Sequence, residues 1–340
     1  MERITKFDVL TASEELWKAH FDHTEAIRHE IDPEDPQLPR EKLRAMMLSA
    51  FSIPSDNKYI YLALTGEGEA AGFLSLSVEN ERSPSYQSNK HVGNMNISVL
   101  GKYRRKGLGR KLLRHAIDEM AAKEPAVTEF LAGVFLDSGR GFLDSLGGTV
   151  SLQQSANRLY LKDLDWAMVE AWAAEGARKN PATAVVQASV IPEADIKNFS
   201  GLYTETMNQQ PLGDIGVKIV VTPEQIRLHE KHNRDNGVEQ MTIYTRENDG
   251  TVSGLTETIY LEEAGHKVKQ MLTGVRENCR GRGLGKLLKA QMLLHIRKEL
   301  PGVKFVVTAN SDSNAPMLAI NNKLGFKKHL PLKVYKLKIK

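Results

Sequence analysis

The sequence holds a single cysteine, Cys279, among 340 residues. No disulfide can form within the chain, and both a disulfide-stapled fold and a Cys-rich zinc module are excluded. Long apolar runs are also missing. Stretches such as Tyr59–Leu64 fall far short of the about 20 residues needed to span a bilayer. Residues 1–20 carry Glu14, Glu15 and Lys18 and lack an apolar core, so no signal peptide is expected. An excess of one charge is absent too. Lys and Arg number 46 against 42 Asp and Glu, a net charge of +4, which is too small to argue for nucleic acid. With 26 Gly and 13 Pro the composition is far from low complexity. A folded protein of a reducing, cytoplasmic compartment is expected, and the length suggests two domains.

The chain then repeats itself. Val99-Leu100-Gly101-Lys102-Tyr103-Arg104-Arg105-Lys106-Gly107-Leu108-Gly109 resembles Val275-Arg276-Glu277-Asn278-Cys279-Arg280-Gly281-Arg282-Gly283-Leu284-Gly285 at a constant offset of 176. An offset of that size is too long for a solenoid repeat and matches a whole domain, so a tandem duplication is predicted.

Local signals support it. Thr222-Pro223-Glu224-Gln225 predicts a helix start with a capping box. Asn248-Asp249-Gly250 predicts a hairpin turn between strands at 241–246 and 252–261. A third strand is expected at 267–275. After the glycine loop, Leu284, Leu288, Met292 and Ile296 share one helical face. A strand at 303–309, a helix at 313–323 and a last strand at 332–340, with Lys340 at its end, complete this half. The first half reads in the same order. The predicted division is residues 1–162, a connector at 163–182, and residues 183–340.

A strand, then Arg-x-x-Gly-x-Gly, then a helix is a device for holding phosphate. Glycine permits positive φ and lets bare N–H groups approach a ligand. The helix adds its unpaired N-terminal donors and the positive end of its dipole. Arg280, Arg282 and Lys286 add charge in the second half; Arg104, Arg105 and Lys106 do so in the first. Neither loop fits the Walker pattern, because Gly285-Lys286 is followed by Leu287. The last glycine spacing also fails the dinucleotide fingerprint. His229-Glu230-Lys231-His232 has i,i+3 histidines, not the zinc-binding spacing, and no metal site is expected.

These loops, with the element order around them, resemble the GNAT superfamily of acyl-CoA-dependent N-acetyltransferases. The second half adds a further pattern similar to that superfamily: Asn310, then Asn314-x-x-Met317-x-x-x-Asn321-x-x-Leu324-Gly325-Phe326. Nearly the whole chain is covered, as two modules laid out like tandem members such as mycothiol synthase. The implied fold class is α/β: two GNAT folds, each a mixed, mostly antiparallel sheet flanked by helices. The resemblance further implies that Arg280, Gly281, Arg282, Gly283, Leu284, Gly285 and Lys286 grip the pyrophosphate of acetyl-CoA. Thr273 and Val275 would pair with pantetheine by strand addition, and Asn310, Asn314 and Met317 would contact the same arm. A second CoA site is conceivable at Val99, Arg104, Arg105, Lys106, Gly107, Leu108 and Gly109; a structural role for that half is equally open.

The halves are not equal. Gly139 and Gly141 weaken the first-half helix that corresponds to the Asn314–Asn321 segment, and Leu143 stands opposite Asn321. Glu257 aligns with Ser75. Many GNAT enzymes keep a general base in that strand, and an amine near pKa ~10 needs one. Where many members carry a tyrosine that protonates the departing thiolate, this chain has Asn321. The expected function is acetyl transfer from acetyl-CoA to a primary amine of an unidentified acceptor, a small molecule or a peptide, catalysed by the second half with Glu257 and Asn321. Two alternatives stand beside it: a non-enzymatic acyl-CoA sensor or scaffold, and an enzyme acting on peptide or protein amines.

Overall fold

The computed structural model describes residues 2–339; Lys340 lies outside them. Contacts divide the chain into two units. Unit 1 holds the residues up to 153, with 213–218 and those from 332 on; unit 2 holds 154–212 and 219–331.

In chain order the elements are β1 (Arg3–Lys6), α1 (Glu14–Ile31), α2 (Arg40–Phe51), β2 (Asp56–Leu64), β3 (Ala70–Glu79), α3 (Tyr86–Asn89), β4 (Val92–Val99), α4 (Leu108–Lys123), β5 (Glu129–Val134) and α5 (Asp137–Asp144). They continue with β6 (Thr149–Tyr160), α6 (Trp166–Lys179), β7 (Ala184–Ala188), α7 (Ile196–Asn208), α8 (Pro223–Asp235), β8 (Glu239–Arg246), β9 (Val252–Tyr260), β10 (Lys267–Val275), α9 (Leu284–Glu299), β11 (Phe305–Ser311), α10 (Ala315–Leu324) and β12 (Lys327–Lys338). Each unit is a mixed, mostly antiparallel sheet with helices against it. In unit 2, β7, β8, β9 and β10 pair antiparallel in turn, and β10 pairs parallel with β11. In unit 1, β1 to β4 run antiparallel and β4 pairs parallel with β5.

The local signals act as their chemistry requires. The Thr222 hydroxyl accepts from the Gln225 N–H at 3.3 Å and the Gln225 side chain accepts from the Thr222 N–H at 3.0 Å, closing the capping box. Gly250 takes φ +82° in the hairpin turn. Leu284, Leu288, Met292 and Ile296 of α9 are all buried, the last three against β-strand residues such as Ile243 and Val306. No helix among the described residues is long and apolar enough to cross a membrane.

The units differ from a division at 162/183: residues 213–218 fall in unit 1, and the last strands are exchanged. Residues 333–338 of β12, from the end of the chain, pair antiparallel with β5 in unit 1, Lys338 opposite Glu129. Residues 154–160 of β6, from the first half of the sequence, pair antiparallel with β11 in unit 2, Tyr160 opposite Phe305. Glu129 and Phe305 are themselves 176 apart, so the exchange is reciprocal and in register. The physical reason is that duplicated sheets offer equivalent edges. A strand that alternates as β12 does, with Tyr335 and Leu337 buried, satisfies either one.

Candidate active site

The two glycine loops occupy equivalent strand-to-helix turns. Gly283 is the N-cap of α9 at φ +81°, and Gly107 the N-cap of α4 at φ +85°. At both, positive φ turns the chain into the helix and leaves nothing within 4 Å of where a Cβ would stand. Among the described residues, no backbone acceptor faces the N–H groups of residues 281–285. Those donors, Leu284 and Gly285 included, crown the helix N-terminus and fit an anion. The copies differ two positions earlier. Gly281 takes φ +81°, whereas the matched Arg105 is held at φ +61°. A side chain in that region costs about 1 kcal/mol. Arg105→Gly relieves that strain but frees the unfolded chain by a comparable amount, so the stability of unit 1, read from its denaturation midpoint, should move by less than about 1 kcal/mol.

The cations of the second loop are mostly engaged elsewhere. Arg282 donates to Asn180 at 2.9 Å, to Thr183 at 2.7 Å and to Glu247 at 3.0 Å. Arg282 thereby ties the loop to the segment after α6. Lys286 lies over the Trp172 ring, 5.3 Å from its centre. Arg280 is exposed and donates to Gln209. In the first loop Arg104 is committed to Glu30 and to the Val99 carbonyl, and Lys106 donates to the Lys102 carbonyl. Leu108 is buried beneath its loop and Gly109 packs against Phe142. Anion binding at either loop thus falls chiefly to backbone donors.

Beyond the second loop the sheet forks. β10 and β11 pair only from Lys267–Phe305 to Lys269–Val307, then both run on unpaired with each other to Val275 and Ser311. The fork is a narrow cleft of about 40 Å³ lined by Gln210, Thr273, Lys289, Asn310, Asn314 and Met317, among others. Four of the residues singled out in the sequence meet here: Thr273, Asn310, Asn314 and Met317. Val275 does not line it; it is half-buried against Leu284 and Leu287. Asn314 is the N-cap of α10, its side chain accepting from the Met317 N–H at 3.4 Å. Asn321 is buried, 2% exposed, and donates to Asn310 at 2.7 Å, while its own Oδ1 has no partner. It therefore steadies Asn310 at the cleft wall. An amide has no acidic proton to give, so Asn321 is no substitute for a general acid.

A bulge marks the same place. Gln270 stands opposite Thr258 and Thr273 opposite Thr256, so Met271 and Leu272 together face Glu257. Gln270 braces the bulge by donating to the Glu257 carbonyl at 2.7 Å and to the Thr256 hydroxyl at 3.0 Å. In unit 1, β4 pairs with β3 without a shift from Ser77–Asn94 to Gly72–Val99. A bulge re-aims backbone N–H and C=O groups, and unit 1 lacks this one.

Glu257 does not line the cleft. Its side chain is 8% exposed, hydrogen-bonded to Tyr203 of α7 and repelled by Glu230 of α8. Burial chiefly, then Glu230, pushes its pKa up to about 7. The same burial, with the Glu257 charge, raises the Tyr203 phenol. The neighbouring Thr242 hydroxyl, opposite Glu257 in register, is buried without a partner. The matched Ser75 of unit 1 has no carboxylate, and α5 carries no side-chain cap. Among the described residues no three His, Cys, Asp or Glu lie close enough together to hold a metal ion. Tyr203 and Lys289 escaped the sequence reading. A signal for Lys289 was available, since the matched position is Leu113.

Comparison with known proteins agrees with this fold. Residues 18–140 match the acetyltransferase (GNAT) family. The match falls on the first half, which carries the glycine loop but departs from the later motif. No curated protein sequence matches the chain. Among solved structures, a tandem GNAT protein from the clavulanic acid biosynthesis pathway is similar at a TM-score of 0.74 and 19% identity, over 100% of this chain and 99% of that one. A GCN5-related N-acetyltransferase from Sphaerobacter thermophilus is similar at 0.66 and 15%, over 100% and 96%. Residues 18–140 thus match the acetyltransferase (GNAT) family, and the whole chain has the fold of tandem GNAT proteins.

Proposed function

We propose that unit 2 transfers an acyl group, acetyl in the simplest case, from a coenzyme A thioester to a primary amine. The observation that carries this is strand β10, bulged against β9 and forked from β11, directly before a glycine loop with free N–H donors. In this reading the N–H groups of 281–285 hold the pyrophosphate. The open edge of β10 near Thr273 pairs with the pantetheine amides, and Asn310, Asn314 and Met317 line the arm's other side. The bulge turns a backbone donor toward the thioester oxygen, where negative charge develops during attack. Holding amine and thioester together supplies much of the rest. Glu257, near neutrality, accepts the amine's proton through the Tyr203 hydroxyl or a water. The thiolate leaves unaided, as a thiol of pKa about 8.5 allows.

The test is thiol release from acetyl-CoA with a panel of amines, small molecules in one arm and peptides in the other. Release that needs both acetyl-CoA and one class of amine is expected. Saturable acetyl-CoA binding with no release from any amine would replace this reading by a non-enzymatic acyl-CoA-binding role.

A further inference from the structure

Lys289 projects from α9 to the cleft, which it lines together with Thr273, Thr308, Asn310, Asn314 and Met317. The side chain is only 3% exposed. Among the described residues it makes no hydrogen bond or ion pair; its Nζ lies over the Phe326 ring, 5.4 Å from the centre. Packing does not ask for an amine there. The matched residue of the duplicate is Leu113, which is buried at the same helix position. An unpaired ammonium in such a site is unfavourable, and burial lowers the Lys289 pKa to about 7. A large share of this side chain is therefore the free amine near neutral pH, the nucleophilic form.

We propose that Lys289 is a self-modification site, acylated by the CoA thioester held in its own cleft when no acceptor amine is present. The inference rests on the seating of the thioester proposed above. The neutral Nζ attacks the thioester carbonyl carbon and forms a C–N bond. The C–S bond breaks, its electron pair goes to sulfur, and the proton lost by nitrogen goes to the thiolate, directly or through water. The products are free CoA and an Nε-acyl-lysine, with no further reactant. The amide carries no charge, so burial no longer opposes it, and its acyl group occupies the cleft. An idle enzyme thereby closes its own site, and an acceptor amine that outcompetes Lys289 keeps it open.

The full-length protein is incubated with acetyl-CoA, without amine, and peptides spanning 284–299 are examined by mass spectrometry. Binding of acetyl-CoA is followed in parallel by calorimetry. A gain of about 42 Da at Lys289 is expected, and Lys289→Leu, the duplicate's own residue, removes it. Gly283→Asp should lower Lys289 acetylation roughly tenfold or more by preventing donor binding, while exposed lysines react as before. Equal modification of Lys289 in Gly283→Asp would reveal random chemical acetylation and overturn the proposal. Acetyl-CoA that binds yet leaves Lys289 unmodified would overturn it while the acyl-CoA site stands. Absence of acetyl-CoA binding would overturn both.

Discussion

Gly283→Asp should abolish CoA binding to unit 2, lowering affinity by roughly 100-fold or more, and turnover should fall with it. The position has φ +81° and nothing within 4 Å of a built Cβ. Asp is among the few residues that tolerate left-handed backbone, so the fold survives. What changes is electrostatic. A carboxylate then stands at the mouth of the N–H crown where two phosphates must lie. Like charges about 4 Å apart at a partly screened site cost several kcal/mol. The matched Gly107→Asp, at φ +85° and equally open, should abolish any CoA binding at unit 1 and spare most turnover. Unit 1 has an unbulged β4 and Ser75 where unit 2 has Glu257. CoA stoichiometry and thiol release for both variants decide it. If Gly107→Asp silences the enzyme and Gly283→Asp does not, catalysis belongs to unit 1.

Glu257→Gln should lower kcat by about 10²–10⁴ and leave CoA affinity nearly unchanged. In the unmodified protein the rate should rise with pH through about 7, as the buried carboxyl ionises, and the variant should lose that limb. Stability should move the other way. The folded pKa of Glu257 is raised above its unfolded value near 4.5. Its stabilising contribution is thus fully present below about pH 4.5 and is lost as pH rises to about 7. Glutamine never ionises, so at pH 8 the variant should be the more stable protein, by an amount on the order of 3 kcal/mol, and near pH 4 the two should match. Denaturation midpoints at the two pH values read this directly. Slower turnover together with higher stability at pH 8 separates a catalytic carboxylate from one that merely supports packing. Unaltered turnover and pH profile would remove Glu257 from the mechanism.

The sequence by itself determined everything that depends on near neighbours along the chain. The duplication was legible because the two loops must each place glycine where φ is positive, at Gly107 and Gly283. The Thr222–Gln225 box, the hairpin at Gly250 and the buried stripe of α9 were legible because caps, turns and helical faces span only a few residues. Asn310, Asn314 and Met317 could be placed together along one cleft since one strand end and one helix start carry all three. Four matters were decided only by tertiary structure. Which sheet β12 joins was hidden, because duplicated sheets present edges of the same pattern. The bulge at Met271–Leu272 was hidden, because an extra residue is defined only against the strand opposite. The engagement of Arg282 by Asn180, Thr183 and Glu247 was hidden, because its partners lie tens of residues away along the chain. Last, a lysine on a helix face reads as solvated in sequence. Only the packing of α9 beneath the fork leaves Lys289 buried, unpaired and facing the cleft, where low polarity rather than sequence sets its chemistry.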